Sequence, residues 1–111
     1  MTTEDTAGAE FRITATATEG RADVVVAGEI DLATAPQLRS ELHAIIDGGA
    51  TVVAVDMADV GFIDSAGLGV LIGAVGRLRE RGGRLELRHL QPAPRKVIDI
   101  TGLHDVFELT D

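Results

Sequence analysis

The stretch Asp56-Met57-Ala58-Asp59-Val60-Gly61-Phe62-Ile63-Asp64-Ser65-Ala66-Gly67-Leu68-Gly69-Val70-Leu71 decides the reading of this chain. It is preceded by Val52-Val53-Ala54-Val55, a β-branched apolar run that predicts a central parallel strand over residues 51–55. The acidic segment that follows predicts a loop. After Asp64-Ser65 the apolar residues recur at helical spacing, which predicts a helix from Ser65 to about Arg81. Its apolar face is Leu68, Leu71, Ile72, Val75 and Leu78, and Gly82-Gly83 ends it. Ser65 then stands at the expected N-cap, beside a carboxylate. Free N–H groups and the positive end of the helix dipole favour added negative charge there. On spacing alone Ser65 has two readings, a cap and a phosphate acceptor, and the cap is the commoner role.

Working outward, residues 11–18 alternate Phe11, Ile13, Ala15 and Ala17 with Arg12, Thr14, Thr16 and Thr18, which is strand periodicity. Glu19-Gly20-Arg21 reads as a hairpin turn, and Val24-Val25-Val26-Ala27 as a more buried strand ending near Gly28. Thr34 and Gln37 have the spacing of a capping box, and Pro36 suits a first helical turn. Leu38, Leu42, Ile45 and Ile46 continue that helix to Gly48-Gly49. Gly69, Gly73 and Gly76 lower the helix propensity of the second helix, and close backbone approach to the sheet is the expected reason.

Residues 84–88 read as another alternating strand. A short helix starts at Pro92 or Pro94, and Val106 to Leu109 reads as a last edge strand. The order ββαβαβα(β) predicts an α/β domain with a mixed sheet: an N-terminal antiparallel hairpin, then parallel strands joined by helices.

Composition bounds the function. A chain of 111 residues with 45% hydrophobic content can bury the core of one domain. With three Phe and no Trp or Tyr, that core is built from Val, Leu, Ile and Ala. The formal net charge of −8 argues against nucleic acid and anionic membranes as partners. Cysteine is absent, so neither a disulfide framework nor a thiolate metal site is available. Residues 1–10 are polar and acidic, lack the apolar core of a signal peptide and read as a short flexible tail, with residues 11–111 as the single domain. No run is long enough to cross a bilayer, so the cytoplasm is the expected location.

Two segments together resemble a known family. Asp64-Ser65-Ala66-Gly67-Leu68-Gly69 matches, position by position, the Asp-Ser-(Ser/Ala)-Gly-Leu-Gly signature of the STAS domain family, in particular of the bacterial anti-sigma-factor antagonists. Gly28-Glu29-Ile30-Asp31 resembles the family's other common block, and Leu90-Gln91-Pro92-Ala93 and Thr101-Gly102-Leu103 fit its usual ending. The resemblance implies a STAS fold with helices packed largely on one sheet face. It implies a binding protein rather than an enzyme: unphosphorylated, it binds an anti-sigma factor that is also a Ser/Thr kinase and so frees a sigma factor. Phosphorylation at Ser65 ends that binding, and a phosphoserine phosphatase reverses it. The partner-binding residues carried over are Gly28, Glu29, Ile30, Asp31, Asp64, Ser65, Ala66, Gly67 and Leu68. The resemblance places an Asp near the acceptor serine, so Asp31 is expected beside Ser65. ATP and magnesium belong to the kinase, so this chain needs no cofactor. Ala66 stands where many relatives carry a second Ser, which leaves Ser65 as the acceptor. The free protein is expected to be a monomer.

Other readings fare worse. Ile63-Asp64-Ser65-Ala66-Gly67 lacks the first glycine of a hydrolase nucleophile elbow. His43 reads as a helix-surface residue and His89 and His104 as loop residues, with no metal-ligand spacing. A receiver-like phosphoaspartate domain using Asp56 would need a late sheet lysine, and Lys96, the only lysine, falls in the last helix. No phosphate-binding Gly-x-x-x-x-Gly-Lys-(Ser/Thr) loop is present. Within the resemblance, the alternative is a STAS module serving a larger signalling scaffold or a transporter.

Overall fold

The alternating N-terminal segment folds back on itself because Glu19-Gly20 turns the chain, pairing β1 (Arg12–Thr18) antiparallel with β2 (Arg21–Ile30). The computed structural model describes residues 11–110, so the expected tail over residues 1–10 lies outside the described residues. Helix α1 (Ala35–Asp47) follows, then β3 (Val52–Ile63), α2 (Ser65–Arg79), β4 (Arg84–Arg88), α3 (Pro92–Ile100) and β5 (Glu108–Thr110). The sheet order is β1-β2-β3-β4-β5, with the last four strands parallel. This is the predicted element order and the predicted mixed sheet. The boundaries of α2 and β5 shift by a residue or two.

Strand register sorts the side chains onto two faces. One face carries Val24, Val26, Val53, Val55, Leu85 and Leu87, all buried. Against it pack Leu38, Leu42 and Ile46 of α1, Leu68, Leu71, Val75 and Leu78 of α2 and Ile98 of α3, in one continuous apolar core. Fully burying a side chain of this size stabilises the fold by ~1.5–3 kcal/mol. The opposite face is polar, with rows such as Asp23–Ala54–Glu86–Glu108 and Val25–Asp56–Arg88–Thr110. Glu86 is buried there, and Arg84 Nε approaches its carboxylate at 3.2 Å, with Arg21 and Arg88 further off at 3.8 and 3.9 Å. A buried carboxylate requires such pairing.

The largest departure from expectation is β3. The segment read as an acidic loop is strand almost to its end, so β3 spans 12 residues. Two bulges account for the misreading. Asp56 to Asp59 faces Val25 to Ala27, and Val60 to Phe62 faces Gly28 to Glu29, so β3 carries an extra residue at each place. The core-facing positions therefore run Val53, Val55, Met57, Val60, Ile63, and the period of two breaks into steps of three. Across from the second bulge Gly28 adopts φ +110°, a conformation that a side chain would strain. That glycine lets β2 continue to Ile30 instead of ending near Gly28.

Three smaller expectations are also corrected. Thr34 precedes α1 but its side chain makes no cap; its hydroxyl instead donates to the Glu29 carbonyl at 2.7 Å, so no capping box forms with Gln37. Ile72 is exposed rather than part of the α2 apolar face, and Ala74 takes its place in the core. A Cβ at Gly69, Gly73 or Gly76 would meet nothing within 4 Å, so these glycines do not mark close approach to the sheet. The close approach is at Gly67, where a Cβ would lie 2.5 Å from Ile30 Cγ2 and 2.8 Å from Ile63 Cγ1.

Candidate functional site

Strands β2 and β3 run parallel, so their carboxyl ends emerge at the same edge of the sheet. Ile30 pairs with Ile63, and the Asp64 N–H donates to the Ile30 carbonyl at 3.1 Å. The two sequence motifs, separated by more than thirty residues, are thereby joined through their backbones. Ligand and partner sites of open α/β sheets gather at such edges.

Each motif then turns through an aspartate. The Asp31 carboxylate Oδ1 accepts the Ala33 and Thr34 N–H groups at 2.9 and 3.0 Å, while the Thr34 hydroxyl accepts the Asp31 N–H at 2.9 Å. This local network turns the chain into α1. In the second motif Asp64, not Ser65, is the N-cap of α2. Its Oδ1 accepts the Ala66 N–H at 2.9 Å and the Gly67 N–H at 3.1 Å. Ser65 is the first helical residue, exposed and free of the capping duty that sequence assigned to it. The hydroxyl is therefore presented rather than used. It sits at the helix end, where the dipole and the remaining N–H groups favour an anion.

The other motif residues divide by burial. Ile30, Gly67 and Leu68 are buried: they hold the edge together from within. Glu29 and Ser65 are exposed, and Gly28, Asp31, Asp64 and Ala66 are half-buried. Leu32 is 78% exposed and Phe62 46% exposed at the same sheet edge, two large apolar side chains left in solvent. The Asp31 hydrogen bonds described above stay within its own loop, so its carboxylate is held by backbone N–H groups.

Two residues that sequence reasoning did not assign to the site border it. Arg39 and His43, four apart on α1, line a groove of about 360 Å³ with Ser65, Ala66, Gly69, Val70 and Gly73 of α2. His43 is half-buried rather than a plain surface residue. Burial lowers its pKa, and the positive charges of Arg77 and Arg39 add to that, while Asp47 opposes it. The i, i+4 spacing of Arg39 and His43 was legible; that their face of α1 meets the start of α2 was not.

Asp56 belongs to another part of the strand. Its pKa is lowered, chiefly by the Ala58 N–H that it accepts at 2.9 Å; burial opposes the shift, and His89, 3.1 Å away, and Arg88 add to it. His89 sits at φ +59° and pairs with Asp56, away from the motif serine. Among the described residues no group of His, Asp and Glu is arranged to hold a metal ion. Among them, too, no helix is long and apolar enough to cross a membrane.

Comparison with known proteins places this edge in a family. The STAS domain model matches residues 12–111. The anti-sigma-B factor antagonist of Bacillus subtilis is 37% identical over 92 residues, covering 83% of this chain and 84% of the relative. That of Listeria monocytogenes is 39% identical over 87 residues, covering 78% and 76%. Among solved structures, an anti-sigma factor antagonist from Mycobacterium paratuberculosis superposes with a TM-score of 0.80 at 30% identity, covering 89% of this chain and 84% of that one. The Bacillus cell fate determinant SpoIIAA in its phosphorylated form gives 0.69 at 26% identity, with 91% of each chain covered. Both the sequence match and the superposition span nearly all of the fold described above, and the chain belongs to the STAS domain family.

Proposed function

We propose that this protein is an anti-sigma-factor antagonist whose unphosphorylated form binds an anti-sigma factor with Ser/Thr kinase activity and thereby releases a sigma factor. The observation that carries the reading is the exposed, uncommitted Ser65 at the first position of α2, at the sheet edge that also leaves Leu32 and Phe62 exposed. The relatives named anti-sigma-B factor antagonist, and SpoIIAA solved both with and without its phosphate, support it. The exposed residues of the two motifs, with Leu32 and Phe62, form the docking surface; Ile30, Gly67 and Leu68 shape it from beneath. The protein acts by binding, in the cytoplasm, and not by catalysis.

In the switching step the Ser65 hydroxyl attacks the γ-phosphorus of ATP held with magnesium by the kinase. The hydroxyl proton leaves, ADP departs, and Ser65 carries a charge of about −1.5 to −2. A docked partner would then meet that added charge with no counter-ion of its own, a penalty of ~2–5 kcal/mol. At ~1.4 kcal/mol per decade, affinity falls roughly thirty- to several-thousand-fold. A phosphoserine phosphatase restores the binding form.

Incubation with the cognate kinase and magnesium–ATP, followed by phosphosite mapping by mass spectrometry, tests the assignment. Phosphate on Ser65 is expected. Phosphate mainly on another residue overturns the site, and incorporation without the kinase overturns the non-enzymatic reading. Asp31→Asn probes the docking surface by charge alone, because Asn keeps the Oδ1 acceptor that holds the loop. Weaker kinase binding is expected; unchanged binding and phosphorylation would reduce Asp31 to a loop former.

A further inference from the structure

The groove between α1 and α2 opens directly beside Ser65. Its α2 wall is Ser65, Ala66, Gly69, Val70 and Gly73, and the space beside Gly69 and Gly73 is open because neither glycine has a neighbour within 4 Å of where a Cβ would stand. Its α1 wall supplies Arg39 and His43. Arg39 also lines the adjoining hollow of about 250 Å³ with Leu32, Pro36 and Val70, so it stands between Ser65 and the exposed apolar rim. The other arginines near these helices are engaged: Arg77 with Asp47 at 2.9 Å, and Arg81 with Asp47 at 3.5 Å. Arg39 has no ion-pair or hydrogen-bond partner among the described residues. In a chain of net charge −8, an unengaged guanidinium beside a modifiable hydroxyl is a notable placement.

We infer that Arg39, with His43 behind it, is the intramolecular counter-ion of phosphorylated Ser65: the phosphoryl group turns into the α1–α2 groove and is held there by the Arg39 guanidinium. This rests on Ser65 as the phosphorylated residue and adds a second half to the switch. A guanidinium matches phosphoryl oxygens in charge and in its fork of donors. The groove has room for the group without moving backbone. His43 supplies a further ring N–H from the same wall of the groove. Other charged groups facing His43 are Arg77 from α2 and Asp47 from α1. Asp64 at the start of α2 opposes the phosphoryl charge. Once engaged, Arg39 is neutralised at the docking rim, so phosphorylation both adds an anion and removes a cation.

The test installs phosphoserine at position 65 during translation, so that it does not depend on any kinase. Phosphorus NMR then follows the phosphoserine titration in the full chain, against Arg39→Gln and Arg39→Lys. An ion pair with the guanidinium favours the dianion, so Arg39→Gln should raise the midpoint by about half a pH unit or more, and Arg39→Lys should restore part of the shift. In the otherwise unaltered chain, the Arg39 Nε–H resonance should move on phosphorylation, and the His43 titration should rise. These two readouts need no substitution, so they hold even if a variant folds poorly. Superimposable phosphorus titrations for the phosphorylated protein and its Arg39→Gln variant, with a static Arg39 resonance, would overturn the inference. The identity of the acceptor serine would still stand or fall on the phosphosite map alone.

Discussion

The two ends of β3 are built by opposite means. At its start, backbone ties backbone. The Thr51 and Val52 N–H groups both donate to the Gly20 carbonyl, at 2.8 and 3.0 Å, and the Arg84 N–H donates to the Thr51 carbonyl at 2.9 Å. Gly83 lies so close that a Cβ there would strike the Thr51 carbonyl oxygen. At its finish, side chains add much of the tying: Asp64 caps α2, Asp31 and Thr34 close the loop before α1, and beyond the strand ladder the Asp64 N–H donates to the Ile30 carbonyl between the strands' exits. Both ends need a glycine for close approach, Gly83 at one and Gly67 at the other. The glycines therefore do not mark which end is functional. What differs is that the finishing end leaves a hydroxyl, two large apolar side chains and an unengaged arginine in solvent. The starting end is closed mainly by backbone, while the finishing end is held by small caps that leave Ser65 and Arg39 unengaged.

The sharpest way to break this contrast is to charge the finishing end. Ser65→Asp should weaken kinase binding by ~2–5 kcal/mol relative to Ser65→Ala, measured by calorimetric titration. Ser65→Ala should bind like the unmodified protein and resist phosphorylation. Equal affinities for the two variants would mean that added charge at this helix end is not the switch.

Gly83→Ala and Gly67→Ala compare the two close approaches. Each should destabilise by ~1–3 kcal/mol in denaturant titrations, as overpacking does. The Gly83 variant should lose more, because its neighbour is a backbone carbonyl while Gly67 meets the branches of Ile30 and Ile63, which can shift. Only Gly67→Ala should also weaken partner binding, since it displaces the start of α2. A reversed order of stabilities would show that the core isoleucines are the less yielding neighbours.

A finer comparison lies within two adjacent residues. Asp64→Ala removes the cap and should cost ~1 kcal/mol. Ser65→Ala should cost less than ~0.5 kcal/mol, because Ser65 caps nothing in this structure and Ala is the best helix former. Thermal melts that rank the two the other way would return the capping role to Ser65.

The smallest effect expected is at Asp56, mid-strand. Its folded pKa is lowered from the 3.8 of the free group, so the unfolded chain binds the proton more readily. Its contribution is present in full above that value and is lost as pH falls through the lower folded pKa. Asp56→Asn should thus be slightly less stable than wild type at pH 7, and the difference should close in acid. A gap that persists below pH ~2 would place the effect elsewhere than in the charge.

How far the chain can be read without its fold follows from the range of the interactions involved. Element order, the hairpin, the exact limits of β4 and the turn after α2 were all legible, because periodicity, β-branching and glycine pairs act within a few residues. So was Ser65 as the residue of interest, through its motif. The length of β3 was not: the bulges that shift its inward positions from 57 to 60 to 63 exist only in pairing with β2. Nor was the division of labour between Asp64 and Ser65, since both are good caps and only the path of the chain out of β3 decides which carboxylate or hydroxyl reaches the free N–H groups.

Local sequence thus determined the order of strands and helices and where the motif hydroxyl lies, since those are set by backbone propensity and short-range pattern. The tertiary structure alone decided what surrounds that hydroxyl. Parallel pairing of β2 with β3 brings Asp31 and Asp64 to one edge, and packing of α1 against α2 sets Arg39 and His43 across a groove from Ser65. These residues are far apart along the chain, and burial of a shared apolar core together with the β2–β3 ladder brings them together.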